Sequence, residues 1–119
     1  MVRFAVLALF AGSAVGATAA TGCESLPAAS PDHIKALANT GLSLSRAGQY
    51  KAAAECYRRV LAIDPNISSI QLNLGLAEFK AGRFRDAIGP FKAAAGLDPT
   101  SFQARTMLGM AYFGARMYA

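Results

Sequence analysis

Tryptophan is absent from the 119 residues, histidine occurs once (His33), and cysteine occurs twice, at Cys23 and Cys56. Two cysteines and one histidine cannot supply the dense ligand cluster of a zinc site, and two cysteines are too few for a disulfide-stapled scaffold. Charge is also scarce. Only 16% of the residues are Asp, Glu, Lys or Arg while 54% are hydrophobic, the reverse of a disordered acidic tail. The length sits at the small end for a single domain and leaves no room for a large enzyme with a deep cleft. What is present is enough apolar residues for a compact helical domain, with a hydrophobic segment in front of it.

Residues 1–22 carry one positive charge, Arg3, then the apolar run Phe4-Ala-Val-Leu-Ala-Leu-Phe10, then a stretch of small residues containing Ala17-Thr18-Ala19. A basic start, a short apolar run and an A-x-A-like site make a cleavable secretory signal peptide. A retained membrane anchor is the competing reading. It needs about 20 strongly apolar residues, and here the strong hydrophobes give out after Phe10. The tetrapeptide Ala20-Thr21-Gly22-Cys23 resembles the lipobox of bacterial lipoproteins, which implies lipidation of Cys23 and a membrane tether through it. Ordinary cleavage after Ala19 is the alternative. Either way the expected location is outside the cytoplasm, in a periplasm or cell envelope.

Without residues 1–22 the chain has a net charge of +4. Its cations are spread along the sequence, so no nucleic-acid surface is expected. The pairs Arg58-Arg59 and Arg83/Arg85 read as solvated helix faces. Residues 23–31 hold Pro27 and Pro31 without periodicity and read as a linker.

The dominant signal is a repeat of 34 residues. That step takes Gly41 to Gly75 to Gly109, Asn39 to Asn73, Leu42 to Leu76, Gly48 to Gly82, Ala53 to Ala87, and Asp64-Pro65 to Asp98-Pro99. Aromatic positions follow it too: Tyr50, Phe84 and Tyr118, then Tyr57 and Phe91. Each unit reads as two amphipathic helices. Ser30-Pro31-Asp32 supplies a cap and an N1 proline for the first helix, which runs to about Arg46. Gly48 suits a left-handed turn at its end. A second helix from about Lys51 to Ile63 stops at Asp64-Pro65 because proline cannot continue the hydrogen-bond ladder, and Asn66 is expected to cap the next helix. The second unit repeats this, with a helix to Ala81 and another from about Arg85 to Leu97. Thr100 or Ser101 opens a fifth helix.

With these residues in place, the chain resembles the tetratricopeptide repeat family over residues 32–119. Leu37-x2-Thr40-Gly41-x2-Leu44, Ala53-x3-Tyr57 and Pro65 fill the family pattern once. Gln71-x2-Leu74-Gly75-x2-Glu78, Ala87-x3-Phe91 and Pro99 fill it again, and Arg105-x2-Leu108-Gly109-x2-Tyr112 begin it a third time. The family's tryptophan is replaced throughout, and Glu78 stands where tyrosine is usual. The resemblance implies an all-α fold of stacked antiparallel helix pairs, a short right-handed solenoid. It would comprise repeats 34–67 and 68–101 and a partial unit at 102–119. Glycine at 41, 75 and 109 and alanine at 53 and 87 are expected in tight helix seams, beside Tyr57 and Phe91.

Such an array implies a non-enzymatic module that binds a protein or peptide on the concave face lined by the first helix of each pair. The positions expected there include Asn39, Leu42, Leu72, Asn73, Leu76, Phe79 and Met110, with Arg46, Lys80 and Phe113 alongside. The competing reading has the apolar ones packing between repeats. Asn39 and Asn73 could bond a ligand backbone or a neighbouring loop. Some family members grip a peptide carboxylate with Lys, Asn and Arg here. Asn73 matches that set, but Ala38 and Leu42 replace its Lys and Asn, so the clamp is not carried over.

No catalytic, cofactor or metal residues are assigned. His33 reads as a surface residue beside a helix cap, Asp64 and Asp98 as turn residues, and Cys56 as a small buried hydrophobe. A Cys23–Cys56 disulfide is the other open fate for the thiols. The fifth helix is expected to lack its covering partner. That fits a fragment of a longer array, or self-association through this last helix. An alternative function is the leading, scaffolding part of a larger exported enzyme or sensor.

Overall fold

The computed structural model describes residues 22–23 and 33–118. The expected signal segment, the linker beyond Cys23 and the Ser30-Pro31-Asp32 cap lie outside the described residues. The fold is all-α. Among the described residues five helices follow in order: α1 (His33–Arg46), α2 (Tyr50–Ile63), α3 (Ser68–Lys80), α4 (Phe84–Leu97) and α5 (Phe102–Tyr118). Each packs on the next and α3 also meets α5, so the hairpins α1–α2 and α3–α4 stack side by side as a solenoid. None of the described helices is long and apolar enough to cross a membrane.

The two hairpin turns are built identically, one repeat apart. Gly48 (φ 81°) and Gly82 (φ 83°) take the left-handed conformation that side chains resist. The Gln49 N–H then reaches the Leu44 carbonyl at 2.8 Å and the Gly48 N–H reaches Ser45 at 3.0 Å. In the second unit Arg83 bonds Glu78 at 2.9 Å and Gly82 bonds Phe79 at 3.0 Å. This paired bonding absorbs the last carbonyls of a helix and reverses the chain.

Between units the chain stops where proline dictates. Asp64 and Asp98 leave helical geometry just before Pro65 and Pro99. Their carboxylates then accept from the backbone two residues on, Asn66 N–H at 3.0 Å and Thr100 N–H at 3.1 Å. These are Asx turns, as the turn-residue reading had it. The expected cap at Asn66 is not formed. α3 starts one residue later, with Ile67 at the cap position and no side-chain bond, while the Asn66 N–H donates to the Asp64 carboxylate in the preceding turn. At α5 the cap is present: Ser101 Oγ accepts from Ala104 N–H at 3.1 Å.

The seams carry the small residues. Ala53 and Ala87 are wholly buried, and so are Tyr57 and Phe91. A Cβ placed on Gly41 would stand 2.8 Å from the Tyr57 ring, and one on Gly75 would stand 2.5 Å from the Phe91 ring. Gly109 departs from the pattern, since nothing lies within 4 Å of a Cβ there. The tight seam expected at Gly109 is therefore not formed among the described residues.

The cations at 58 and 83 are not simply solvated, contrary to the sequence reading. Glu78 is only 2% exposed, and its carboxylate accepts from Arg58 on α2 and from Arg83 Nε at 2.8 Å. Arg58 also reaches Glu55 at 3.2 Å. One buried acid thus ties α2, α3 and the α3–α4 turn together. Cys23 and Cys56 are both buried in the first core cluster with no disulfide between them, and Arg59 donates to the Cys23 carbonyl. His33 is half-buried at the start of α1 rather than on the surface.

Candidate functional site

First helices α1, α3 and α5 lie in succession, and the spaces between them are two concavities in register. The first, about 230 Å³, is lined by Leu42, Ser45 and Arg46 of α1, by Asn73, Leu76 and Lys80 of α3, and by Tyr57 beneath. The second, about 420 Å³, is lined by Phe79 of α3, Phe84 at the start of α4, and Thr106, Gly109, Met110, Phe113 and Gly114 of α5. A step of 34 residues converts Leu76 into Met110, Ser45 into Phe79 and Lys80 into Gly114. They are therefore the same inter-repeat groove, seen twice.

Their chemistry differs. In the α1–α3 space, Arg46 and Lys80 bring positive charge and Asn73 brings an amide, against Leu42 and Leu76. Lys80 Nζ lies 5.8 Å from the centroid of the Tyr50 ring, within cation–π range. The Tyr57 phenol closes the floor. Its pKa is raised by burial, while a hydrogen bond with Ser45 pulls it down, the charge of Cys56 raises it, and Arg46 lowers it. In the α3–α5 space the position equivalent to Lys80 is Gly114, where a Cβ would stand 2.7 Å from the Phe84 ring, and the position equivalent to Arg46 is Lys80, which does not line this space. Phe84 in turn meets Phe79 edge-on, with centroids 4.9 Å apart and rings at 72°. That half is apolar.

The expected surface residues are thus distributed among four places. Leu42, Asn73 and Leu76 come together in the first space, and Phe79 and Met110 in the second. Asn39 is exposed and faces a separate hollow with Thr40 and Ser43. Its repeat-mate Asn73 instead lines the space shared with Leu42, Ser45 and Arg46 of α1. Leu72 is half-buried and packs on the core of Ala87, Phe91 and Ala111, so it serves packing between repeats. Leu76 and Phe79 also lean on that core. The sequence reading missed Ser45, Tyr57, Phe84, Thr106, Gly109 and Gly114 as lining residues. The signal for Phe84 was its repeat relation to Tyr50.

Helix pairs joined by left-handed turns and stacked in a 34-residue register define a helical-repeat solenoid. The family model described as tetratricopeptide repeat matches residues 38–102 and again 72–118, and the chain belongs to the tetratricopeptide repeat family. Among solved structures it is similar to an arginine-to-glutamate mutant of MamA, with 28% identity and a TM-score of 0.68. That match covers 73% of this chain and 64% of the MamA chain, so this chain spans just under two thirds of it. It also shares its fold with the second TPR of Spaghetti (RPAP3) bound to an HSP90 peptide, at 24% identity and a TM-score of 0.66. There the match covers 71% of this chain and 78% of the other. No curated protein matches the chain.

Proposed function

We propose that this chain is a non-enzymatic protein-interaction module of an exported protein, and that it holds a segment of a partner on the face formed by α1, α3 and α5. The observation that carries the reading is the pair of in-register grooves, one lined by Leu42, Asn73 and Leu76 and the next by Phe79 and Met110. Leu42 and Met110 are 38% and 48% exposed, more than a residue held only for packing between repeats would be. Family membership supports it as well, since stacked helix pairs offer an extended concave surface and the Spaghetti repeat is bound to a peptide. Export rests on residues 1–22 alone, on Arg3, the apolar run to Phe10 and Ala17-Thr18-Ala19.

A photo-crosslinker decides the face. Placed at Leu42 or Met110 it should capture a partner from envelope extract, and placed at Lys92, exposed on α4, it should not. Leu42→Glu and Met110→Glu should abolish that capture while circular dichroism stays unchanged. Capture only from position 92 would move the site to the outer helices. Leu76→Glu tests the same groove, but Leu76 touches the core, so the exposed positions are the cleaner readout.

A further inference from the structure

The two halves of the groove differ in a way that specifies what fills them, and this inference rests on the concave face being the binding face. The α1–α3 space has two cations, Arg46 and Lys80, and no carboxylate in its lining. Both cations are exposed, and no salt bridge among the described residues engages either. The nearby acid on α3, Glu78, is buried and taken up by Arg58 and Arg83. Positive charge is therefore presented to the groove without an internal counter-charge. In the α3–α5 space no charged residue lines the walls, which are Phe79, Phe84, Met110 and Phe113 with two glycines and Thr106.

The two spaces flank α3, and a helix with its side chains is about 10–12 Å across, so equivalent points of the two spaces are separated by about that distance. An extended chain rises about 3.3 Å per residue. A segment crossing α1, α3 and α5 therefore covers the step in about three residues. We propose that the groove takes an extended segment of the partner protein carrying a Glu or Asp side chain and, about three residues away, a bulky apolar side chain. The carboxylate lies against Arg46 and Lys80, with the Asn73 amide beside it. The apolar side chain enters the pocket of about 420 Å³ between Phe79 and Met110. The acid is a side chain within the segment rather than a chain terminus.

The test uses the full chain and fluorescein-labelled peptides, read by anisotropy: Glu-Ala-Ala-Phe and Phe-Ala-Ala-Glu in Gly/Ser flanks. One of the two orders should bind. Glu→Gln in that peptide should weaken it about two- to fivefold, the range of an exposed ion pair, and added salt should do the same. Phe→Ala should weaken it about tenfold or more. The double variant Arg46→Glu/Lys80→Glu should reverse the preference, binding the Lys-for-Glu peptide better than the parent. Binding indifferent to Glu→Gln, to salt and to the charge reversal overturns the proposal, and so does no binding of either order. Loss on amidating the peptide's C-terminus overturns the internal placement of the acid. Partner crosslinking at Leu42 or Met110 in those cases would leave the concave face standing and remove only this chemistry; no crosslinking there would remove both.

Discussion

The Phe91 ring lies against the backbone of Gly75, so close that a Cβ on Gly75 would stand 2.5 Å from the ring carbons. Because Phe91 is fully buried, the ring cannot simply swing away. Gly75→Ala should therefore lower stability by about 1–3 kcal/mol, the cost of overpacking a filled seam. Gly41→Ala should cost less, since its contact with Tyr57 is looser at 2.8 Å. Gly109→Ala should be neutral, or stabilise by about 0.5–1 kcal/mol through helix propensity, with nothing within 4 Å to resist it. Urea midpoints of the three variants would check the order. Equal losses at all three positions would mean that glycine acts here through the backbone and not through the seam.

That gradient shows where the sequence was legible. Repeat spacing placed the helices, the left-handed glycines and the Tyr57 and Phe91 contacts, because each arises from residues that recur at the same step. What it missed depends on departures from the repeat. Glu78 breaks the pattern, and its partners lie 20 and 5 residues away on other elements, so no local periodicity pairs them. Asn66 looked like a cap by composition, but α3 begins one residue later, with Ile67 at the cap position. The binding residues were legible as one stripe. Their division into a charged space and an apolar space was not, because it depends on whether Lys80 or Gly114 meets the aromatic at the start of the neighbouring second helix.

Glu78 should act as a tie between the hairpins. With the carboxylate removed in Glu78→Ala, Arg58 and Arg83 lose a buried partner. Both are partly exposed, at 42% and 34% of their side chains, so water recovers part of the loss. A destabilisation of about 1–3 kcal/mol is expected, below the 3–5 kcal/mol of a fully buried pair. A double-mutant cycle of Glu78→Ala with Arg58→Ala measures the coupling. Strict additivity would mean that the pair does not hold α2 to α3.

Alkaline pH should weaken the first hairpin through Tyr57. Its folded-state pKa is raised above 10.0, chiefly by burial, whereas the unfolded phenol titrates near 10. Below that pH both states keep the proton and the contribution to stability is intact. As pH rises through 10 toward the folded value, the unfolded state releases its proton first and stability falls, by at most about 1.4 kcal/mol per pH unit. Tyr57→Phe should flatten this decline relative to the parent between about pH 9 and 11. Its repeat-mate Phe91 already fills the same slot without a hydroxyl. An identical pH slope in both proteins would show that Tyr57 ionises as readily folded as unfolded.

Pro90 lies inside α4, one repeat on from Cys56 in α2, where the helix is uninterrupted. A proline there has no N–H to give the carbonyl four residues back, that of Asp86, and its ring crowds that carbonyl. The preceding Gly89 has no Cβ to meet the Pro90 ring, which disfavours helical geometry at a side-chain-bearing residue before it, while beyond its chain neighbours a Cβ there would meet nothing within 4 Å. Gly89→Ala should therefore be neutral or destabilising while Pro90 is present, and should stabilise by about 0.5–1 kcal/mol only in the Pro90→Ala background. Pro90→Ala should stabilise by about 1–3 kcal/mol, less than the full proline penalty because the surrounding turns have already adapted. Thermal melts of the two single variants and their double would check this. A loss of stability in Pro90→Ala would mean that the ring packs against α3 or α5 well enough to outweigh the missing bond.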